Sequence, residues 1–460
     1  YPVKAYVFTE PDDNGRVNEL VDILLQHRIK IYNLARDLSS KGLTYKAGKS
    51  YVVPLKQEEY RFIRSLFEPV KQFTDSVFYD ISTWVLPMSF NVRYTQVENQ
   101  KDMSGLTGVE ITSASIHEGR LISAGIPYAY IFEWKEYYAP KALYELQEAG
   151  IIARVASDRF TVNDGSLSKE FGYGSILIPV SEQHFAPKDL KSMMEKVASD
   201  CGITVYGTTT GMTPSGIDLG SSKFQVLQKP SVLMFAGEGA NSGDAGEIWH
   251  MLDTRFRIPV TMVTAMRFQN LNLSDYNVII IDGSPNLSQA AIDNLKAWNR
   301  SGGTIIGYKS GNSWLSRNKI TEIENVPEAA SKLKTGVYAN RYGDSQVNDI
   351  PGSIFEATLD LTHPLCYGYT FDRLPVFKSD PNAYQKDKNI YNNPAVYSAV
   401  PLLSGYCSKA NADRIKGAPF VSVHGSRIIS IYDNANFRSI TWGTNKIFLN
   451  SLFFGQIIGR

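Results

Sequence analysis

Cysteine and net charge are scarce in this sequence, and each scarcity removes a class of function. The 460 residues include three cysteines, Cys201, Cys366 and Cys407, which are too few for a disulfide framework, although one bridge is possible. The 47 basic and 46 acidic residues nearly cancel. Because no net field results, neither nucleic acid nor an anionic membrane surface is expected as a partner.

Long apolar runs and a targeting signal are also missing from the sequence. No stretch approaches the roughly 18 consecutive apolar residues that a membrane span requires, so no span is predicted. The first residues, Tyr1-Pro2-Val3-Lys4, lack an initiating methionine and do not have the plan of a signal peptide. We therefore expect the chain to be a processed product or a part of a longer protein.

Histidines are few, and their spacing does not suit a hydrolytic zinc site. Such sites need two or three convergent His or carboxylate ligands, commonly a His and a Glu three residues apart. The residues three positions after the six histidines are Lys30, Arg120, Pro187, Asp253, Cys366 and Arg427. The nearest approach, His250 with Asp253, is better interpreted as a solvated helix face. No metal site and no cofactor are expected in this chain.

The sequence does contain an alternation of apolar strands and amphipathic helices. Strands are predicted at 5–8, 29–34 and 49–55, with a helix before the second strand and another over 57–67. The same order returns about 125 positions later, at 130–132, 140–149, 151–155, 174–180 and 187–198. Both copies place a proline, Pro54 or Pro179, near the end of the third strand. We interpret this as an internal duplication that forms mostly parallel, doubly wound sheets.

A third α/β unit follows a Gly- and Ser-rich stretch at 207–222, which is interpreted as an exposed linker or long loop. This unit alternates strands and helices from Ser231 to Tyr308 and continues into a loop-rich part that ends in strands and a helix. The predicted class is therefore α/β, with several doubly wound, flavodoxin-like units. The predicted domains are 1–104, 105–228 and 229–460.

Candidate catalytic residues lie at the predicted turn after the strand that ends at Tyr308. Nucleophilic enzymes built on doubly wound sheets place Ser or Cys at such a turn, and this sequence has Lys309 and Ser310 there. His363 is a candidate base. The alternative, which we favour, is that Ser310 is a structural loop serine.

Glu247 and His250 are candidate ligand-binding residues. They follow a glycine-dense turn, 237–246, that could hold a phosphate at a helix N-terminus. The glycine spacing is that of neither the dinucleotide fingerprint nor the P-loop. Asp244 and Glu247 also place negative charge there, which favours helix capping over nucleotide binding.

Several longer strings resemble one protein family. They lie at 51–55, 64–68, 78–87, 246–253, 355–356, 361–365, 402–406, 436–438 and 443–450, and so extend over most of the chain. These strings resemble the region that follows the catalytic domain in zinc carboxypeptidase (carboxypeptidase A-like metallopeptidase) proteins of Bacteroidetes-type bacteria. In that family the zinc ligands and the general-base Glu belong to an amino-terminal peptidase domain, so no residue of this chain corresponds to them.

The resemblance implies a carboxy-terminal fold like that of class I glutamine amidotransferases, without the elbow Cys and the downstream His-x-Glu pair. It also implies a secretory signal on the full-length protein and a periplasmic or cell-surface location. The expected partners are the zinc-containing peptidase domain of the same polypeptide and a peptide. The leading hypothesis is a non-catalytic accessory, scaffolding or binding region. The alternatives are an atypical amidase or hydrolase and a small-molecule binder at the strand ends.

Overall fold

The structure is a computed structural model that describes residues 2–74, 78, 80–114, 119–327, 336–425 and 427–459. Strands and helices alternate along these ranges and form three main sheets, which confirms the α/β class. Within the same ranges no helix has the length and apolar character needed to cross a bilayer. We refer to the parts of the chain that carry the sheets as the first (5–111), second (120–226) and third (232–459) segments.

The first segment forms an antiparallel sheet covered by helices. Its strands are β1 (Ala5–Thr9), β2 (Ile31–Leu34), β3 (Leu38–Ser40), β4 (Leu43–Tyr45), β5 (Tyr51–Pro54), β6 (Arg93–Val97) and β7 (Thr107–Ile111). Its helices are α1 (Asn14–Gln26), α2 (Tyr60–Phe67), α3 (Leu86–Ser89) and α4 (Gln100–Met103). The strand order is β6-β1-β5-β2-β7, with β3 and β4 as a separate hairpin.

The second segment repeats this plan. Its strands are β8 (Arg120–Ile122), β9 (Ala129–Phe132), β10 (Arg154–Ala156), β11 (Phe160–Asn163), β12 (Ser168–Phe171), β13 (Ile176–Pro179), β14 (Thr204–Thr208), β15 (Ser215–Gly216) and β16 (Phe224–Val226). Its helices are α5 (Ala139–Glu148) and α6 (Pro187–Cys201). The main sheet has the order β16-β10-β13-β9-β14-β8.

The third segment carries the largest sheet. Its strands are β17 (Val232–Phe235), β18 (Val260–Val263), β19 (Val278–Ile281), β20 (Thr304–Tyr308), β21 (Ser353–Leu359), β22 (Arg373–Lys378), β23 (Ala395–Ser404), β24 (Pro419–His424) and β25 (Ile428–Ile431). Its helices are α7 (Ser242–Trp249), α8 (Ala265–Phe268), α9 (Gln289–Arg300), α10 (Ser310–Arg317), α11 (Arg341–Gln346), α12 (Lys409–Ile415) and α13 (Trp442–Phe454), and a π-helix (His250–Arg255) continues α7.

The internal duplication is confirmed by strand order and register. The strands β6-β1-β5-β2 of the first sheet correspond to β14-β9-β13-β10 of the second, and each copy inserts a hairpin before its third main strand. Ala5 pairs with Pro54 in the first sheet, and Ala129 pairs with Pro179 in the second. Equivalent residues therefore occupy equivalent ladder positions.

The expectation of mostly parallel sheets is wrong for these two copies. β1 and β2 flank β5, which runs antiparallel to both, and β6 is antiparallel to β1. Helix α1 connects β1 and β2, which run parallel to each other. However, β5 lies between these two strands and is antiparallel to both. This is the β-α-β-β-α-β arrangement of ferredoxin-like folds. Alternation along the sequence does not distinguish it from a doubly wound sheet.

The third segment does contain the predicted parallel arrangement. The five neighbours β18-β17-β19-β20-β25 are parallel, and β24, β23, β21 and β22 extend the sheet in antiparallel pairs. The strands β21 to β23 lie in the part that the sequence describes only as loop-rich. A strand signal is nevertheless present, since the buried residues Phe355, Ala357 and Leu359 of β21 alternate with less buried polar ones.

Two smaller sequence expectations are settled by packing. The stretch 207–222 is not an extended linker, because β15 pairs with β11 and Leu219 is buried against the second sheet. All three cysteines are free, and Cys201 and Cys366 are buried.

The strand β7 lies beyond the predicted domain boundary at residue 104 but pairs with β2 of the first sheet. The division into domains stays a prediction.

One core runs through all three segments, with α13 at its centre. Every residue of α13 is buried, and it is apolar on most of its surface, as expected for a central helix. Residues 133–138 of the second segment contact both neighbours. Trp134 donates to Asn450 of α13 at 2.6 Å, and the main-chain amide of Tyr137 donates to Asp13 of the first segment at 3.1 Å.

Candidate functional site

The carboxyl ends of the parallel strands meet at one edge of the third sheet. The residues that follow them are polar, namely Asp282 after β19, Lys309 after β20, and Asp433 and Asn434 after β25. Open α/β sheets bind ligands at this edge. We call Asp244, Glu247, Asp282, Lys309 and Asn434 the strand-end site.

Lys309 occupies a sharp turn between β20 and α10. Its backbone has φ 45° and ψ −113°, a conformation that residues with a side chain rarely adopt. Its amide donates to the carbonyl of Ile431 at 2.9 Å, which ties the turn to the end of β25. The Lys309 Nζ lies 2.8 Å from Asp244 Oδ1, and 21% of the side chain is exposed. The turn therefore places a fixed positive charge where a nucleophilic enzyme would hold Ser or Cys.

Two members of the site, Asp244 and Asp282, are buried carboxyl groups. Burial raises the pKa of Asp244, while the Lys309 ammonium opposes that rise. Asp282 is fully buried, and neither of its oxygens accepts a well-formed hydrogen bond from a described residue. Burial raises the pKa of Asp282 to about 7, the main-chain amides of Asp282 and Asn241 oppose the rise, and the Asp244 carboxylate adds to it. Near neutral pH, Asp282 is thus partly protonated.

Glu247 fixes the segment that follows β25. Its two carboxylate oxygens accept hydrogen bonds from Asn434 Nδ2 at 2.8 Å and from the amide of Arg438 at 2.7 Å. Burial raises the pKa of Glu247, and these two donors oppose the rise. The Asn434 side chain also accepts from the Tyr308 hydroxyl at 2.7 Å. Both Glu247 oxygens are thus engaged with the protein itself.

His250 contributes to the same segment. Its Nδ1 lies 3.1 Å from the hydroxyl oxygen of Ser439, and Ser439 has a positive φ of 59°. The structure therefore brings the two predicted ligand-binding residues, Glu247 and His250, to one loop. Their recorded contacts hold that loop, and a role in ligand binding stays a prediction.

The predicted catalytic residues do not form a connected group. Ser310 is exposed, and its hydroxyl donates to the main-chain carbonyl of Asp282 at 3.3 Å. His363 Nδ1 accepts from the amide of Leu365 at 3.2 Å and so caps a short 3-10 helix. Burial lowers the pKa of His363 to about 4, which leaves its ring neutral near pH 7. No hydrogen bond among Ser310, Lys309 and His363 is recorded in the described ranges.

A second buried ion pair adjoins the strand-end site. Lys378 Nζ donates to Asp433 Oδ1 at 2.7 Å, and the Tyr397 hydroxyl donates to Asp433 Oδ2 at 2.6 Å. Burial raises the pKa of Asp433, and Lys378 opposes that rise. Asp380 lies 3.4 Å from Lys378 and contributes to the rise of the Asp244 pKa. This edge of the sheet thus combines at least four carboxyl groups with two ammonium groups.

Acyl transfer needs a nucleophile with a base in hydrogen-bond reach. Among the described residues, no thiol or imidazole is recorded in contact with Lys309, and the ammonium paired with Asp244 has no lone pair for attack. The described residues also include no group of three or more His, Cys, Asp and Glu side chains that could hold a metal ion. The donor set of a hydrolytic zinc ion is therefore not assembled in the described part of the chain.

Sequence reasoning missed Asp282 and Asn434 as members of this site. A signal for both is present, because each follows an apolar run that forms a parallel strand. The ion pair of Lys309 with Asp244 has no such signal, since 65 positions separate the two residues.

Sequence comparisons give no relative for this chain. No protein-family model matches it, and no curated protein shows significant similarity. Structural comparison finds PurLQS from Thermotoga maritima, with 14% identity, a TM-score of 0.33, and coverage of 49% of this chain and 98% of that chain. It also finds a glutamine amidotransferase from Thermotoga maritima, with 10% identity, a TM-score of 0.27, and coverage of 45% and 75%.

A further neighbour is a ThuA-like protein from Bacteroides uniformis, with 13% identity and a TM-score of 0.33, in which 48% of this chain and 88% of that chain are covered. Glutamine amidotransferase structures are thus among the neighbours of this chain, at low identity. Similarities of this size carry no information on its activity.

Proposed function

We propose that this chain is a non-catalytic accessory region of a secreted zinc carboxypeptidase-family protein. It would scaffold or shield a separate peptidase domain, and the zinc would belong to that domain. The carboxypeptidase association rests on the sequence strings that resemble that family. The partner domain, a peptide ligand and a periplasmic or cell-surface location are parts of the same proposal.

The observation that supports a non-catalytic role is the chemistry of the turn at Lys309. The strained position is occupied by an ammonium group that is paired with Asp244 at 2.8 Å. Ser310, the next residue, donates its hydroxyl to a main-chain carbonyl. An enzyme that uses this turn would need an activated hydroxyl or thiol in place of a neutralised charge.

The first test is direct measurement of turnover. The purified chain is incubated with peptides that have a free carboxyl terminus, and separately with glutamine, with and without added zinc. We expect product formation at the level of the blank in every case. Zinc-dependent release of a terminal amino acid, or release of ammonia from glutamine, would contradict the proposal.

The second test concerns the partner. Sequencing of the gene upstream of the Tyr1 codon should reveal a peptidase domain with a His-x-x-Glu motif. That domain, produced separately, should bind this chain in a pull-down. If the upstream region encodes no peptidase, the accessory role is wrong whatever the turnover assay shows.

The rival hypothesis of an amidase or hydrolase centred on Ser310 makes a different prediction. If glutamine or another amide were hydrolysed, Ser310→Ala would abolish that activity under the rival hypothesis. The recorded contacts of Ser310 and His363 give the rival no support, because each residue is bonded to the main chain of its own surroundings.

A further inference from the structure

A cleft lies where the three segments meet, and it is lined by none of the five residues of the strand-end site. Its volume is about 680 Å3, which is within the usual range for ligand pockets. Helix α1 contributes Glu19 and Asp22, α5 contributes Lys141, and the π-helix contributes Arg255. Ligand pockets are common at junctions of this kind.

Among the described residues, the two cations of the cleft form no close ion pair with its acids, although the Asp200 carboxylate lies within electrostatic range of Lys141. Lys141 Nζ lies 4.0 Å from Glu145 Oε1, which is at the limit of an ion pair. Only 12% of the Lys141 side chain is exposed, so solvent does little to screen its charge.

Arg255 stacks on the ring of Trp442 at 3.9 Å and donates to the hydroxyl oxygen of Tyr137 at 3.3 Å. It also donates to Asn445 Oδ1 at 3.3 Å and to the main-chain carbonyl of Ser439, so its contacts within the protein are all with neutral acceptors. Over the described ranges, no carboxylate is recorded within ion-pair distance of Arg255.

Two of the acids that line the cleft, Glu19 and Asp22, are held by neutral donors, while Asp200, which also lines it, is paired with Lys196. Glu19 Oε1 accepts from the Tyr138 hydroxyl at 2.7 Å, and Asp22 Oδ2 accepts from Gln26 Nε2 at 2.6 Å. No ion pair of either carboxylate is recorded in the described part of the chain. Charges of both signs therefore line one cleft without forming close pairs with one another.

We propose that this cleft binds a zwitterionic ligand, either a free amino acid or a short peptide with charged ends. Glu19 and Asp22 bind its ammonium group, and Lys141 and Arg255 bind its carboxylate. A guanidinium that is fixed by an aromatic ring is pre-organised for a carboxylate. The Tyr138 ring, which also lines the cleft, offers an apolar surface for a side chain or for the peptide main chain. This proposal does not depend on the accessory role, since it requires neither catalysis nor a peptidase partner.

Isothermal titration calorimetry of the whole chain tests the proposal with three probes: alanine, trialanine, and trialanine with an acetylated amino end and an amidated carboxyl end. We expect saturable binding of alanine or trialanine and no binding of the blocked peptide. Preference between the two free probes distinguishes an amino-acid site from a peptide site.

Variants locate the binding. Lys141→Gln and the double variant Glu19→Gln with Asp22→Asn remove charge but keep hydrogen-bonding groups, and each should weaken binding by about tenfold or more. Asp293→Asn is the matched control, because Asp293 also accepts from a glutamine on its own helix, at 2.9 Å, and does not line the cleft. The Asp293→Asn variant should bind the free probes with the same affinity as the wild type.

Two results would overturn the proposal. One is the absence of binding by both free probes at millimolar concentration while circular dichroism shows a folded chain. The other is binding that survives blocking of both ends or persists unchanged in the Lys141 and Glu19/Asp22 variants. Neither result bears on the turnover assays, so failure here is distinguishable from failure of the accessory role.

Discussion

Lys309 combines an unfavourable backbone conformation with a half-buried ion pair. Its φ of 45° with ψ of −113° costs on the order of 1–3 kcal/mol for a residue with a side chain. The ion pair with Asp244 and the amide contact with Ile431 hold it there. A strained backbone conformation of this kind persists only where contacts with the surrounding residues hold it in place.

This strain can be measured with a pair of substitutions at one position. Lys309→Ala and Lys309→Gly both remove the ammonium, so both should destabilise the protein by leaving Asp244 without its cation. The glycine variant should nevertheless be more stable than the alanine variant by about 1 kcal/mol, because glycine adopts positive φ freely. Urea unfolding of the two variants gives the difference.

An exposed helical lysine supplies the control. At Lys191, in the interior of α6, alanine should be the more stable replacement by about 1 kcal/mol, since glycine weakens ordinary helix interiors. Equal stability of the two Lys309 variants would show that the turn relaxes without strain.

The start of α10 is packed directly against the end of β19. A Cβ atom at Gly311 would lie 1.8 Å from the carbonyl oxygen of Ile281, so no side chain fits there without movement of the main chain. This close approach fixes α10 on the sheet and so sets the geometry of the turn at Lys309. A Cβ atom at Gly246, in α7, would meet no neighbouring atom within 4 Å.

Substitution by alanine should therefore have opposite effects on stability at Gly311 and at Gly246. Gly311→Ala should destabilise the protein by about 3 kcal/mol through overpacking, and Gly246→Ala should be neutral or stabilise it by up to about 1 kcal/mol. Thermal and urea unfolding measure both. A tolerated alanine at Gly311 would show that α10 can move away from β19.

At the scale of the whole molecule, α13 and residues 133–138 connect the three segments. Lys446 of α13 is 3% exposed and donates to the main-chain carbonyls of Trp134, at 2.5 Å, and Glu136, at 3.3 Å. Burial lowers the pKa of Lys446 to about 7, while nearby Asp13 and Glu136 oppose the fall and Arg16 adds to it. A titratable group thus lies within the contact between segments.

This lysine should make stability depend on pH in the alkaline range. Between about 7 and its ordinary value of 10.5, the unfolded chain holds the Lys446 proton and the folded chain does not. The penalty for burying the ammonium is therefore present below pH 7 and disappears as pH rises. Relative to Lys446→Met, the wild type should gain roughly 1 kcal/mol of unfolding free energy per pH unit from pH 7.5 to 9.

Subtraction of the two proteins removes the titration of groups that do not interact with Lys446. Glu136, whose pKa burial raises to about 8, does interact with it, so both proteins also carry Glu136→Gln. Urea unfolding at four pH values is sufficient. A stability difference that stays constant across this range would mean that Lys446 keeps its ordinary pKa in the folded protein.

The sequence predicted much of the local structure and part of the site. Apolar runs located β5, β13, β19 and β20, and the proline near the end of β5 and β13 indicated the duplication. The turn at Lys309 was also placed correctly, because a strand followed by Gly, Ser and Asn is a local signal. The antiparallel order of the first two sheets was not predictable in this way, because it depends on which later strand enters the gap between β1 and β2.

The sequence by itself therefore determined the α/β class, the repeat and the residue types at the end of each strand, since these follow from short-range periodicity and composition. Tertiary structure alone decided the pairing of Lys309 with Asp244, the isolation of Ser310 from His363, and the cleft between Glu19, Lys141 and Arg255. Each of these joins or separates residues that are distant along the chain. Such contacts depend on sheet order and helix packing, which local sequence patterns do not specify.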